Sequence, residues 1–419
     1  MTRILILSIY HDPEPIPKTA ELARELQRRG HDVTVVTAFP HYPSGRLYPG
    51  YRLALWRWER RDGVRVLRTF IYPYHGRRSY LRMLNYLSWM LSSLQAAWLT
   101  PRCDVLYVWH PPLTVGVSAW VISRLKRVPF VYDVQDLWPE SALASGLMRP
   151  GALVNMLYRL ADWVYRRAPR ILVVSDAAAN HLRERGVDPS KIAVAHHWVE
   201  TEPFARPSTR DVRAEFGWGG RFTVMFAGNL GMVQGLETVI DAAALLRDDP
   251  AAREVHFVLV GDGADRPRLE KLVTDRALPN VTFAGRHPVD EMPAFMRAAD
   301  ALLVHLRPSE IADHAIPTKI LSYMAAARPV ICATGGAAAD LVRAAGAGCV
   351  TAPGDPRALA DAVLDLARRP PPARERLGSN GREYLLAHFE RQMVIDGYER
   401  ILLELAGSQR RGASAGGLV

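Results

Sequence analysis

Short apolar runs alternate with segments of helical spacing along almost the whole chain. The run RILILSIY at 3–10 predicts a buried strand. A loop with three prolines follows at 11–18. Residues 19–29 then carry Leu22, Ala23 and Leu26 at helical spacing, Gly30 ends that helix, and 33–39 predicts a second strand. Strand, loop, helix and strand in this order open a doubly wound parallel sheet. A half-buried alternation, GVRVLR, starts at Gly63, and apolar runs at 104–109, 129–134, 171–174 and 193–195 supply further strands. The polar, proline-bearing stretch 200–217 breaks the pattern. It resumes with strands at 222–227, 255–260, 281–284, 301–305 and 329–333, separated by helical segments at 236–247, 266–275 and 317–327. The pattern predicts an α/β chain of two Rossmann-like doubly wound parallel-sheet domains, 1–200 and 218–385, joined by a linker at 201–217. A helix at 386–407 and a disordered tail at 408–419 complete it.

A chain of 419 residues is too long for a single core, which agrees with two domains. Three widely spaced cysteines, Cys103, Cys332 and Cys349, make neither a metal spacing nor a disulfide framework and suit a reducing cytosol. Met1 leads straight into an apolar strand, so no signal peptide is expected. The net charge of +10 is uneven: residues 1–200 hold 27 Lys and Arg against 16 Asp and Glu. A one-sided basic domain suits a polyanion or an anionic membrane. Arg77, Arg78 and Arg82 head the charge-free stretch 83–101. Its length approaches that of a membrane span, but Asn85, Ser88, Ser92, Ser93, Gln95 and Thr100 make it a poor one. It reads as a helix either buried in the domain or lying on a bilayer with its basic head on the phosphates.

Candidate chemistry collects at predicted strand ends. Pro317 suits a helix start, whose free N–H groups seat anions. Lys319 in the same turn opposes the helix dipole, unless an anion offsets it. The turn GNLGMVQGLE after strand 222–227 has three glycines, which let backbone N–H groups approach a phosphate. The loop DVQDLWPES follows strand 129–134, and His110 ends the neighbouring strand.

Together RGHDVTVVT (29–37), DVQDLWPES (133–141), GNLGMVQGLE (228–237), VGDG (260–263) and PTKILSYMAAARPVI (317–331) resemble the GT-B glycosyltransferases, and most of all glycosyltransferase family 4. DLWPES with GNLG and QGLE resembles the subgroup that transfers N-acetylated deoxyhexoses such as N-acetylfucosamine in O-antigen and colanic-acid assembly. The resemblance implies a retaining transfer from a nucleotide sugar, UDP-linked, to a polyprenyl-diphosphate-linked saccharide at the inner face of the cytoplasmic membrane. It implies no cofactor and no metal, and a C-terminal helix returning to the first domain. On the donor side it points to Gly228, Asn229, Gln234, Gly235, Gly285, Arg286, His314, Ile316, Pro317, Thr318, Lys319 and Ser322. The family's Arg and Lys on the diphosphate fall on the neutral Asn229 and Gln234, so the charge rests on Lys319, with Arg286 or Lys18 as further sources. Its two paired glutamates fall on His314 and Ser322. On the acceptor side Asp136 is the first choice for orienting or deprotonating the acceptor hydroxyl and His110 the second, with Lys18 and Trp138 beside them. Trp138 is a sugar platform or a core residue. Rival classes are a GT-B epimerase or phosphorylase, a glycosyltransferase with a non-lipid acceptor, a nucleic-acid binder suggested by the arginines, and a non-catalytic nucleotide-sugar-binding scaffold.

Overall fold

The computed structural model describes the chain except residues 77, 145, 147, 207–209, 310, 311, 315 and 416–419. It divides into two compact units, 1–195 with the stretch from Ile395 onward, and His196–Val394.

The first unit is built on eight strands: β1 (Arg3–Leu7), β2 (Asp32–Ala38), β3 (Trp56–Arg61), β4 (Val64–Thr69), β5 (Val105–His110), β6 (Phe130–Val134), β7 (Arg170–Val173) and β8 (Ile192–Val194). Their order is β3-β4-β2-β1-β5-β6-β7-β8. Neighbours pair in parallel except β3 and β4, an antiparallel hairpin. Its turn is Asp62-Gly63, both at positive φ, as a two-residue hairpin with right-twisted strands requires. The edge strand β3, WRWERR, carries Arg57, Glu59, Arg60 and Arg61, charges that discourage edge-to-edge pairing.

The second unit holds β9 (Phe222–Ala227), β10 (Val255–Val260), β11 (Val281–Gly285), β12 (Ala301–His305), β13 (Val330–Ala333) and β14 (Gly348–Val350). The order is β11-β10-β9-β12-β13-β14, all parallel. Alternate residues feed two cores. Met225, Val258 and Leu302 face one layer of helices, and Val224, Leu259 and Leu303 face the other. Burial on both faces explains why these strands read as unbroken apolar runs. The doubly wound α/β class predicted from the sequence is present in both units.

Three local expectations are corrected. The helix expected over 317–327 is Thr318–Ala325, with Pro317 at the capping position rather than inside the first turn. The charge-free stretch is broken into Ser79–Ser93 and Ala96–Leu99. Of the tail expected to be disordered at 408–419, the part up to Ala415 continues the helix Arg391–Ala415, and 416–419 lie outside the described residues.

Helix Ser79–Ser93 settles between its two sequence readings in an unexpected way. Its polar residues face the protein and part of its apolar surface faces out. Asn85 donates to the Tyr72 carbonyl at 2.7 Å, Ser88 Oγ accepts from the Tyr72 N–H at 2.8 Å, and Ser92 donates to the Phe70 carbonyl. Ser93 bonds Ser118 at 2.9 Å. The first three bonds satisfy the irregular backbone leaving β4, which has no strand partner of its own. The outer stripe is Tyr80, Leu84, Leu87 and Leu91, all exposed, at spacings that put them on one helix face. No helix among the described residues is long and apolar enough to cross a membrane.

Candidate active site

In the second unit the ends of β9, β10 and β11 converge with the start of helix Thr318–Ala325. They enclose a cavity of about 640 Å³. The carboxyl ends of parallel strands are where such sheets bind ligands, because the loops diverge there and leave a crevice.

The close approach of the strand ends depends on two glycines. Gly261, at φ 133°, donates to the Gly285 carbonyl at 2.7 Å, and an added Cβ would fall 1.9 Å from the Gly228 carbonyl oxygen. Gly228, at φ 145°, donates to the Val260 carbonyl, and an added Cβ would lie 3.1 Å from Lys319 Nζ. Side chains at these positions would separate the strands or displace the lysine.

Helix Thr318–Ala325 is fixed to the sheet by Tyr323. Its buried hydroxyl accepts from the Ala227 N–H at 2.9 Å and donates to the Ala227 carbonyl at 3.1 Å. Ala227 precedes Gly228, so this clamp sets the helix face against the glycine turn. Thr318, Lys319 and Ser322 on that face line the cavity. Lys319 Nζ donates to Gln234 Oε1 at 2.9 Å and sits 3.7 Å from the centre of the Phe226 ring. The ammonium thus has one neutral acceptor and a π face. Burial pushes its pKa down to about 7. Gln234 is held in turn through its carbonyl, which lies 2.6 Å from the His305 Nδ1.

Of the predicted donor residues, Gly228, Asn229, Arg286, Thr318, Lys319 and Ser322 line the cavity. Arg286 is an exposed second cation on the wall. Gln234 and Gly235 stand behind it, as the support of Lys319 and, at φ 60°, as the turn that aims Gln234. Gly285 bonds Gly261 from the rear. Ile316 packs against the core instead of facing the cavity, and His314 and Pro317 are half-buried off its wall. A wall of Val289, Met292 and Met296 went unpredicted, although its position just past the Gly285–His287 loop was a usable signal.

In the first unit the acceptor candidates separate. Asp136 stands exposed on the loop after β6. Protein massed around its carboxyl raises its pKa, while its open surface keeps it in contact with water. His110 is corrected: its ring is buried beside Tyr132, neither nitrogen has a hydrogen-bond partner among the described residues, and burial pushes its pKa down to about 3. A neutral ring with no surface cannot reach an acceptor. Trp138 is also buried, edge-on to Tyr86 at 6.1 Å, so it is a core residue and no sugar platform. Lys18 is buried too. Its Nζ lies 3.5 Å from Asp133 Oδ2 and donates to Tyr398 Oη at 2.7 Å and Gln135 Oε1 at 3.2 Å. It is committed to holding the first sheet and adds no charge to a donor phosphate. Arg78 is exposed, Arg82 is half-buried with its guanidinium on Tyr86 Oη at 3.2 Å, and Arg77 lies outside the described residues.

Two parallel-sheet units, with a cation-lined cavity at the strand ends of the second, define the architecture of a GT-B enzyme. Comparison with known proteins agrees. Residues 16–198 match the model of the glycosyl transferase 4-like domain, and 221–369 match that of glycosyl transferases group 1. The chain is a glycosyltransferase carrying these two domains. It is 28% identical over 342 residues to the putative colanic acid biosynthesis glycosyl transferase WcaI of Escherichia coli (strain K12), covering 77% of this chain and 81% of that one. It is 27% identical to the probable glycosyltransferase WbjE of Pseudomonas aeruginosa, over 68% and 72% of the two chains. Among solved structures, Alr3699/HepE of Anabaena in complex with UDP superposes with a TM-score of 0.70 at 19% identity, over 96% of this chain and all of the other.

Proposed function

We propose that the chain transfers a hexose or N-acetylated deoxyhexose from a UDP sugar, with retention, to a polyprenyl-diphosphate-linked saccharide at the cytoplasmic membrane face. The observation that carries this reading is the convergence of Lys319 and Arg286 on a cavity floored by Gly228 and Gly261. A diphosphate supplies an anion to the buried ammonium, which has no ion pair among the described residues. When the bond to the anomeric carbon breaks, negative charge grows on the departing phosphate, and fixed cations stabilise it more than they stabilise the bound donor. The apolar wall of Met292 and Met296 suits a base, and Ser322 offers the ribose one hydrogen bond. Asp136 orients or deprotonates the acceptor hydroxyl. The colanic-acid relatives and the UDP complex of HepE support the choice of pathway class and nucleotide.

A screen of UDP sugars against a lipid-diphosphate acceptor tests it. Asp136→Asn should lower kcat by about 10²- to 10⁴-fold and leave UDP affinity unchanged. A chain that neither binds nor is stabilised by UDP, or an Asp136→Asn enzyme with full turnover, would sink the reading.

The outer stripe of helix Ser79–Ser93 supports the membrane location. Leu91 is 61% exposed and Trp98, on the next helix, 72%. Arg78 sits at the helix head, placed for lipid phosphates while the stripe enters the acyl boundary. Changing Leu84, Leu87 and Leu91 together to serine should abolish co-sedimentation with phosphatidylglycerol vesicles. Undiminished vesicle binding by that variant refutes this docking face.

A further inference from the structure

A second cavity of about 640 Å³ opens at the other end of the second sheet, where its strands begin. Phe222 and Val255, the first residues of β9 and β10, line it, as does Asp300 just before β12. The donor cavity lies at the far ends of the same strands, about 20 Å away for a six-residue strand.

The lining is strongly basic. It includes Arg213, Arg221, Arg253, Arg368 and Arg374 against two acids, Asp300 and Glu254. Three of the arginines are held mainly by neutral backbone carbonyls. Arg213 donates to the carbonyls of Ala298 at 2.8 Å and Arg221 at 2.5 Å. Arg221 donates to that of Gly217 at 2.8 Å. Arg374 reaches the Ala367 carbonyl at 3.4 Å, and its guanidinium lies 5.1 Å from the centre of the Phe222 ring. Such bonds fix a guanidinium without cancelling its charge. Asp300 is already occupied, by Arg213 at 3.1 Å and by the Thr223 N–H at 2.8 Å. Arg253 and Arg368 are exposed at the rim, and neither has an ion pair among the described residues. The surplus field reaches the next buried group: His256, one residue along β10, has its pKa pushed down to about 4 by burial, then by Arg221 and Arg213.

We propose that this cavity binds a soluble phosphorylated ligand of sugar-phosphate to nucleotide size. Planar guanidinium forks match phosphate oxygens in pairs, which favours a phosphate over a carboxylate or halide. The volume exceeds what a bare ion fills and lies in the range of organic ligands. Phe222, Val255 and Leu364 give such a ligand's uncharged part an apolar wall. Arg213, Arg221 and Arg374 are recessed rather than projecting, which suits a free ligand that enters the cavity.

The test is calorimetric titration of pyrophosphate into the full chain at 150 mM salt. It compares the wild type, a Lys319→Ala variant to weaken the donor cavity, and an Arg253→Glu/Arg368→Glu variant. Because both rim arginines are exposed, their reversal should leave the circular dichroism and thermal transition unaltered. An Arg253→Gln/Arg368→Gln variant repeats the test without new acids if they do not. Pyrophosphate binding should persist in Lys319→Ala and weaken by about tenfold or more in the rim variant, while UDP binding responds in the opposite sense. Loss of all pyrophosphate binding in Lys319→Ala, or wild-type binding by the rim variants, overturns the proposal. So does binding that disappears at 150 mM salt, which would mark an adventitious ion only. UDP binding is read separately, so failure of the donor-site reading leaves this outcome interpretable.

Discussion

Replacing Lys319 with alanine should weaken UDP binding by about ten- to a hundredfold, the size of one or two charge-assisted hydrogen bonds in a partly desolvated site. Among the described residues no carboxylate pairs with its ammonium. Its contacts are the Gln234 amide and the Phe226 ring, and burial lowers its pKa to about 7. A bound diphosphate favours the charged form and raises that pKa. The sign of the pH dependence follows. Below pH 7 the ammonium is already charged in the free protein and the full attraction is present. As pH rises above 7, binding must first protonate the lysine, so UDP affinity falls until the pKa of the complex is passed. Ionisation of the terminal phosphate, with a pKa near 6, is complete before this window and does not mask it. Calorimetry in two buffers of different ionisation enthalpy should show proton uptake above pH 7 in the wild type and none in Lys319→Ala. Flat affinity between about pH 7 and 9 would remove Lys319 from the phosphate site.

The same lysine shows how far the sequence could be read. Apolar runs located the strands because both faces of each sheet are covered. Glycines and a capping proline located the turns and the helix start beside the cavity because backbone conformation is a local property. What was not legible depended on side-chain direction and on partners distant in sequence. Gln234 and Lys319 are 85 residues apart, and nothing in either segment announces their bond. His110 ends its strand where ligands usually bind, but its ring turns into the core beside Tyr132. The serines of 88–93 argued against a membrane span. In the fold they face inward, because the backbone leaving β4 needs partners, and that frees an apolar stripe to face outward. A hydropathy pattern gives the amount of polar surface on a helix but not which of its faces meets the protein.

Lys18→Met should cost the first unit about 3–5 kcal/mol, because it strands a buried carboxylate. Asp133 and Lys18 are both buried, 3.5 Å apart, and burial lowers the lysine pKa while Asp133 raises it. Tyr107 and Gln135 also donate to the Asp133 carboxylate, and Tyr398 from helix Arg391–Ala415 lies 3.4 Å from it. These neutral donors soften the loss without supplying a counter-charge. Lys18→Met with Asp133→Asn removes both charges and should recover most of the stability, as replacing a whole buried pair usually does. Two units make a single unfolding free energy ill-defined, so hydrogen exchange of β1 and β6 amides is the measurement. Exchange should quicken by about 10²- to 10⁴-fold in the single variant and return towards the wild type in the double one. A single variant within about 1 kcal/mol of the wild type would mean that the neutral donors alone hold Asp133. The functional consequence separates positioning from binding. Asp133 is the penultimate residue of β6, and the loop after that strand carries Asp136 three residues further on, so Lys18→Met should lower transfer while UDP affinity, which we propose rests on the second unit, stays unchanged.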